Sequence, residues 1–244
     1  MSMSVMRRVF RTTSVSCFAL VLADRASAQT TVFDFATDNG GFSSQSVTGA
    51  PSWAFSTGTD FFGNRLGWSL NGSSTVARTR LVSPVLTAAG GPIQVTFSHQ
   101  FNFDRGVDLL CRDGGVFTSA VGTNPFTPSA TTSSGQAYVA LINGNFGNPL
   151  SGSSAFCGPS ANNQIGQFVE STFTLSAQPF QQFRFAFEGG FDSAGRAIPD
   201  PNWRINRVTV RQGVAVVPEP STYALLATGL LAVIGVQRSR KRSV

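Results

Sequence analysis

The run Ile93–Phe103, IQVTFSHQFNF, constrains the fold more than any other stretch of the chain. Ile93, Val95, Phe97, His99, Phe101 and Phe103 alternate with Gln94, Thr96, Ser98, Gln100 and Asn102, so an extended backbone puts every large apolar side chain on one face. A helix would scatter the same residues around its circumference. FVESTFTLS and QFRFAFE alternate likewise, with Phe183, Phe185 and Phe187 in register. WRINRVTV alternates as Trp203 and Ile205, then as Val208 and Val210, and the phase slip at Asn206–Arg207 predicts a bulge. Between Gln29 and Gly213 nothing reads as a long amphipathic helix, and turns rich in Gly, Pro and Asn separate the strands. The expectation is an all-β chain, an antiparallel sandwich of two sheets. The low-complexity segment Thr118–Gly135 reads as a long surface loop.

Charge excludes one function class. The chain of 244 residues has a formal net charge of +6, which by itself would suggest nucleic acid or an anionic membrane as partner. Eight of the 18 basic residues lie at the ends: Arg7, Arg8, Arg11, Arg25, Arg238, Arg240, Lys241 and Arg242. Of the 12 acidic residues, Asp24 and Glu219 also lie there, so ten of each sign remain between Gln29 and Val217, with no lysine. A neutral body lacks the basic footprint that nucleic-acid binding requires.

The ends read as targeting segments. MRRVFR is a positive n-region, Val15–Ala23 a short apolar h-region, and ASA before Gln29 has the small-x-small form of a signal-peptidase site. Nine apolar residues are too few to span a bilayer, so cleavage between Ala28 and Gln29 is expected. Arg7-Arg8-Val9-Phe10 half-matches a twin-arginine signal, so the export route stays open. The mature chain keeps Cys111 and Cys157; in an oxidising compartment they read as one disulfide, with two free thiols the alternative. At the other end, residues 221–236 carry no charge and would make a helix of ~24 Å, a marginal transmembrane span. The cluster Arg238, Arg240, Lys241 and Arg242 should stay cytoplasmic, which places Pro218, Glu219 and Pro220 outside as an accessible extended peptide.

That constellation resembles the PEP-CTERM sorting signal: Pro-Glu-Pro, apolar helix, basic tail, paired with a signal peptide. The resemblance implies processing by a membrane-embedded exosortase in a Gram-negative bacterium that makes extracellular polysaccharide. The domain expectation is therefore a signal peptide over 1–28, a β-sandwich over 29–212, a linker over 213–217 and a sorting segment over 218–244.

Four stretches of the body, FDFATDNGGF, LVSPVLTAAGGPIQVTFSHQFNFDRG with DGGVF, NPLSGSSAFCG, and FRFAFEGGFDSAG with NWRINRVTV, resemble the jelly-roll sandwich of MAM-type domains and of modules attached to secreted metallopeptidases. The resemblance implies a binding or adhesion module, and several members hold a structural calcium. Asp104, Asp108 and Asp113 could form a calcium loop with Asp34 joining from the first strand, against the plainer reading of solvated turn aspartates. The group's final strand usually ends in an acidic pair; here Asn206 and Arg207 stand there.

Enzymatic signals are sparse. His99, the single histidine, falls among phenylalanines and reads as a hydrogen-bonded core residue. No G-x-S-x-G occurs. Glu170 and Glu188, the body's two glutamates, lie on polar strand faces and would serve glycoside hydrolysis if their strands pair, since that chemistry needs two carboxylates. Trp53, in GAPSWAFSTG, is flanked by turn residues and is the candidate aromatic platform for a sugar, although core packing is the favoured reading. Three functions follow: a non-catalytic adhesion or glycan-binding module, a glycoside-processing enzyme using Glu170 and Glu188, and a structural matrix protein. None requires a cofactor beyond the candidate calcium.

Overall fold

The computed structural model describes residues 28–49, 52–60, 63–106, 109–129, 131–161, 167–194 and 202–213. Their strands lie within one compact unit, Ser27–Val216. In chain order these are β1 (Gln29–Asp34), β2 (Ser43–Thr48), β3 (Trp53–Thr59), β4 (Arg65–Leu70), β5 (Ala77–Val82), β6 (Leu86–Thr87), β7 (Pro92–Phe103) and β8 (Gly114–Val121). They continue as β9 (Thr127–Pro128), β10 (Ser134–Gly135), β11 (Ala140–Leu141), β12 (Ser154–Ala155), β13 (Gly158–Pro159), β14 (Val169–Ser176), β15 (Gln182–Phe191) and β16 (Trp203–Gln212). No helix occurs among the described residues. The all-β, two-sheet antiparallel reading holds.

Sheet 1 has the order β10-β14-β7-β16-β4-β3, with β1 also on β16 and β13 on β7; sheet 2 runs β2-β5-β15-β8-β9, with β6 on β15. The alternating run became β7, the centre of sheet 1, paired with β14 on one side and β16 on the other. Its apolar residues point between the sheets, where Phe97 meets Phe187 of the opposite sheet at 4.8 Å between centroids and Phe117 of β8 meets Phe173 of β14 at 4.4 Å. Each such ring, fully buried, contributes roughly 1.5–3 kcal/mol.

The predicted slip on β16 is a bulge between Ile205 and Arg207. There β16 changes partner, from β4 at Trp203–Ile205 to β1 at Arg207–Gln212. Gly67 of β4, at φ 72°, lies so close to this corner that a Cβ would sit 2.5 Å from the Ile205 carbonyl oxygen. Only glycine fits.

Two expectations change. Thr118–Gly135 is not a free loop: Thr118–Val121 belongs to β8 with Thr118 fully buried, β9 bonds to β8 of sheet 2, and β10 bonds to β14 of sheet 1. The segment thus links the edges of the two sheets. Trp53 is not a surface platform either. It pairs with Leu70, which pairs with Trp203, so all three face inward; Trp53 is 3% exposed and its ring lies 5.5 Å from that of Trp203.

Candidate functional site

With Phe183, Phe185 and Phe187 facing the core, the alternation of β15 turns Arg184 and Glu188 to the outer face of sheet 2. The register sets Glu188 opposite Arg80 of β5 and Val116 of β8. Arg80 Nε donates to Glu188 Oε1 at 2.7 Å, Thr118 Oγ1 donates to the same oxygen at 3.0 Å, and Arg78 Nε and Nη2 each lie 2.6 Å from Oε2. Glu188 is completely buried, while the Arg78 and Arg80 side chains keep 24% and 17% of their surface. A carboxylate so far from water persists because these donors replace its hydration.

The cover over this face comes from two directions. A Cβ on Gly190 would fall 2.5 Å from Asn148 Oδ1, and one on Gly114 2.9 Å from Ala155 Cβ, so the segment around β11 and β12 lies directly against the glycine end of the sheet. From the other direction the β8–β9 connection brings Phe126 over two guanidinium groups, Arg80 at 4.5 Å and Arg184 at 5.4 Å from the ring centroid. Such contacts favour the cation without neutralising it.

Beside Arg184 a cavity of about 340 Å³ opens, lined by Val85, Gly122, Thr123, Gln182, Phe183 and Arg184. Among the described residues Arg184 has no carboxylate partner; the ion pairs are Arg78 and Arg80 with Glu188, and Arg204 with Asp60. Phe180, 86% exposed and at φ 64°, stands at the turn leading into β15, and Val85 at the cavity rim is 54% exposed. The lining combines a cation, an amide, a hydroxyl and apolar surface, which suits a small polar ligand with some apolar faces. A second cavity, about 260 Å³ around Tyr138, Val139 and Leu141, carries no charged side chain.

The glycosidase pair does not form. β14, which bears Glu170, pairs with β7 and β10 in sheet 1, whereas β15, which bears Glu188, pairs with β5, β6 and β8 in sheet 2. Glu170 is exposed and Glu188 is sealed in its arginine cluster, so no shared space lies between them for a glycosidic bond.

The aspartates separate as well. Asp34 stands opposite Arg207, itself opposite Ser98, six residues along from Asp104, on the order of 20 Å of strand. Asp104 and Asp113 do come together, the Asp104 carbonyl accepting the Asp113 N–H at 3.2 Å. Asp113 is fully buried, and burial, reinforced by Asp192 and Asp104, pushes its carboxyl up to about 8; its Oδ1 accepts the Asp192 N–H at 2.9 Å. Asp108 lies outside the described residues. Among the described residues no group of three or more His, Cys, Asp or Glu is placed to hold a metal ion.

His99 is a satisfied core residue. Trp203 Nε1 donates to its Nδ1 at 3.0 Å, its Nε2 lies 2.8 Å from Ser171 Oγ, and Ser171 donates to the Gln136 carbonyl at 2.7 Å. Burial holds the ring neutral, its pKa lowered to about 3. Cys111 and Cys157 form a disulfide across a separation of 46 residues. Ala28 and Gln29 are described, Gln29 opening β1. Pro218, Glu219, Pro220, the run 221–236 and the basic cluster lie outside the described residues, and among those described no helix is long and apolar enough to cross a membrane.

Comparison with known proteins bears on that terminal segment. The sequence model of the PEP-CTERM protein-sorting motif matches residues 216–241. The chain carries a PEP-CTERM sorting motif. Such a motif implies export, membrane-associated sorting in Gram-negative bacteria and processing by an exosortase. No curated protein matches the sequence. Among solved structures the body is similar to a CBM35 from Cellvibrio japonicus, at 9% identity and a TM-score of 0.34, over 77% of this chain and 95% of that one. It is also similar to a Xyl-CBM35 in complex with a glucuronic acid containing disaccharide, at 10% identity and a TM-score of 0.32, over 75% of this chain and 94% of that one.

The arginines of the site were missed in the sequence. ARTRLV holds Arg78 and Arg80 two apart, and FRFAFE holds Arg184 and Glu188 four apart, so each pair shares a strand face. Pairing those two strands was the missing step.

Proposed function

We propose that this is a non-catalytic glycan-binding β-sandwich presented at the cell surface or in the extracellular polysaccharide matrix. The observation that carries the reading is the cavity on the outer face of sheet 2, where Arg184, Gln182 and Thr123 meet apolar surface from Val85. Sugars present hydroxyls at the ring edge and C–H groups on its faces, and this mixture of side chains meets both. The glutamate that catalysis would need is locked between Arg78 and Arg80.

In the same reading, residues 221–236 hold the exported precursor in the inner membrane with the 238–244 tail inside, and the exosortase acts near Pro218-Glu219-Pro220. The body then reaches the surface or matrix. Two measurements test this. Fractionation of the host, wild type against Pro218→Ala with Glu219→Ala and Pro220→Ala, should find wild type outside without its tail and the variant full-length in the inner membrane; both remaining there with Val244 intact overturns the sorting part. Co-sedimentation of the exported protein with the host's polysaccharide should retain it. Free protein in the supernatant would leave a structural matrix role in its place.

A further inference from the structure

The outer face of sheet 2 holds more positive charge than its carboxylate neutralises. Glu188 is committed to Arg78 and Arg80, and Arg184 has no carboxylate partner among the described residues. Phe126 lies on both Arg80 and Arg184, which places the two guanidinium carbons within about 10 Å of each other. That is near the screening length at ~0.1 M salt, so neither is hidden from the other, and both are half-buried. The aromatic ring fixes their position and leaves their charge in place.

We infer that this face binds an anionic glycan, with Arg184 taking a carboxylate or sulfate carried on a sugar. A guanidinium presents paired N–H donors that match either group, and the nearby Arg78–Arg80–Glu188 cluster adds one net positive charge to the same face. The cavity is of a size for one sugar unit, with Thr123 and Gln182 available for its hydroxyls. The anion supplies what the fold lacks there, a counter-charge for the second cation. This rests on the glycan-binding reading and narrows it to acidic polymers.

The test uses the exported protein and three probes: polygalacturonate, dextran sulfate and neutral dextran. Retention on either charged polymer, weakening as salt rises and falling about 10-fold in Arg184→Gln with an unchanged melting temperature, supports the inference; the polymer bound more tightly names the anion. Arg184→Lys, which keeps the charge without the planar fork, should bind at an intermediate level and serves if Arg184→Gln fails to fold. Equal retention of wild type and Arg184→Gln on the charged polymers overturns the inference. Retention on dextran alone overturns it too while glycan binding stands, and retention on none of the three overturns both.

Discussion

The two outer faces of the sandwich start from the same strand pattern and end as different surfaces. On sheet 1, β7 turns out Gln94, Thr96, Ser98 and Gln100, and its neighbours answer with hydroxyls and spaced charges: Thr96 meets the Thr172 hydroxyl at 2.9 Å, Thr174 meets that of Ser133 at 2.8 Å, and Arg211, Arg207 and Arg204 of β16 stand opposite Gln94, Ser98 and Gln100. Most of this face is wetted, with Gln100 the buried exception on β7. On sheet 2 the equivalent positions hold Arg78, Arg80, Arg184 and Glu188, and chain from two directions lies over them. A fully buried carboxylate such as Glu188 demands its partners, whereas a hydroxyl ladder in water does not. What distinguishes the faces is what lies above them, not how their strands alternate.

The largest effect expected from this contrast is at the two glutamates. Glu188→Gln leaves Arg78 and Arg80 without their counter-charge and should cost about 3–5 kcal/mol, toward the lower end because both guanidinium groups keep a wetted edge. Glu170→Gln on the open face should leave the melt nearly unchanged. Equal effects in thermal denaturation would dissolve the contrast.

Next come paired losses at His99 and Thr96, neighbours on β7 that face opposite ways. His99→Leu strands the Trp203 N–H in the core and should cost about 1–3 kcal/mol, while Thr96→Val should cost well under 1 kcal/mol. Urea midpoints would read both.

A smaller effect is expected with pH. His99 is lowered to about 3 from 6.5, so the unfolded chain takes up a proton first and stability falls as pH drops through that window. Asp113 is raised to about 8 from 3.8, so the folded chain holds a proton that the unfolded one has released, and stability falls as pH rises toward 8. The two slopes oppose each other between about 4 and 6.5, leaving the decline from pH 6.5 to 8 as the signature of Asp113. Asp113→Asn should flatten that decline in melts across the range; an unaltered slope would remove the buried carboxyl from this account.

Legibility followed the same divide. Sheet 1 was readable because β7 writes its burial in strict alternation, and even the bulge at Asn206 showed as a phase slip. The core place of His99 followed from its phenylalanine neighbours. Sheet 2 was readable on its inner face through Phe183, Phe185 and Phe187. Its outer face was not, because alternation tells which side chains share a face and never what covers that face. Glu188 therefore read as a surface glutamate, and Phe126 disappeared into a segment that composition marks as loop. Trp53 stayed open between two readings for a related reason: turn residues flank it in sequence, and only its pairing with Leu70 shows that it turns inward. The separation of Asp34 from Asp104 needed strand register, which a single sequence does not contain.

The most direct test of the central claim, that the covered charged face of sheet 2 is the glycan contact, is hydrogen–deuterium exchange of the exported protein with and without polygalacturonate. The account predicts slower exchange in residues 122–127 and around Gln182–Arg184, with β7 and β14 unchanged. Protection on β7 and β14 instead, or none anywhere at saturating polymer, would contradict it.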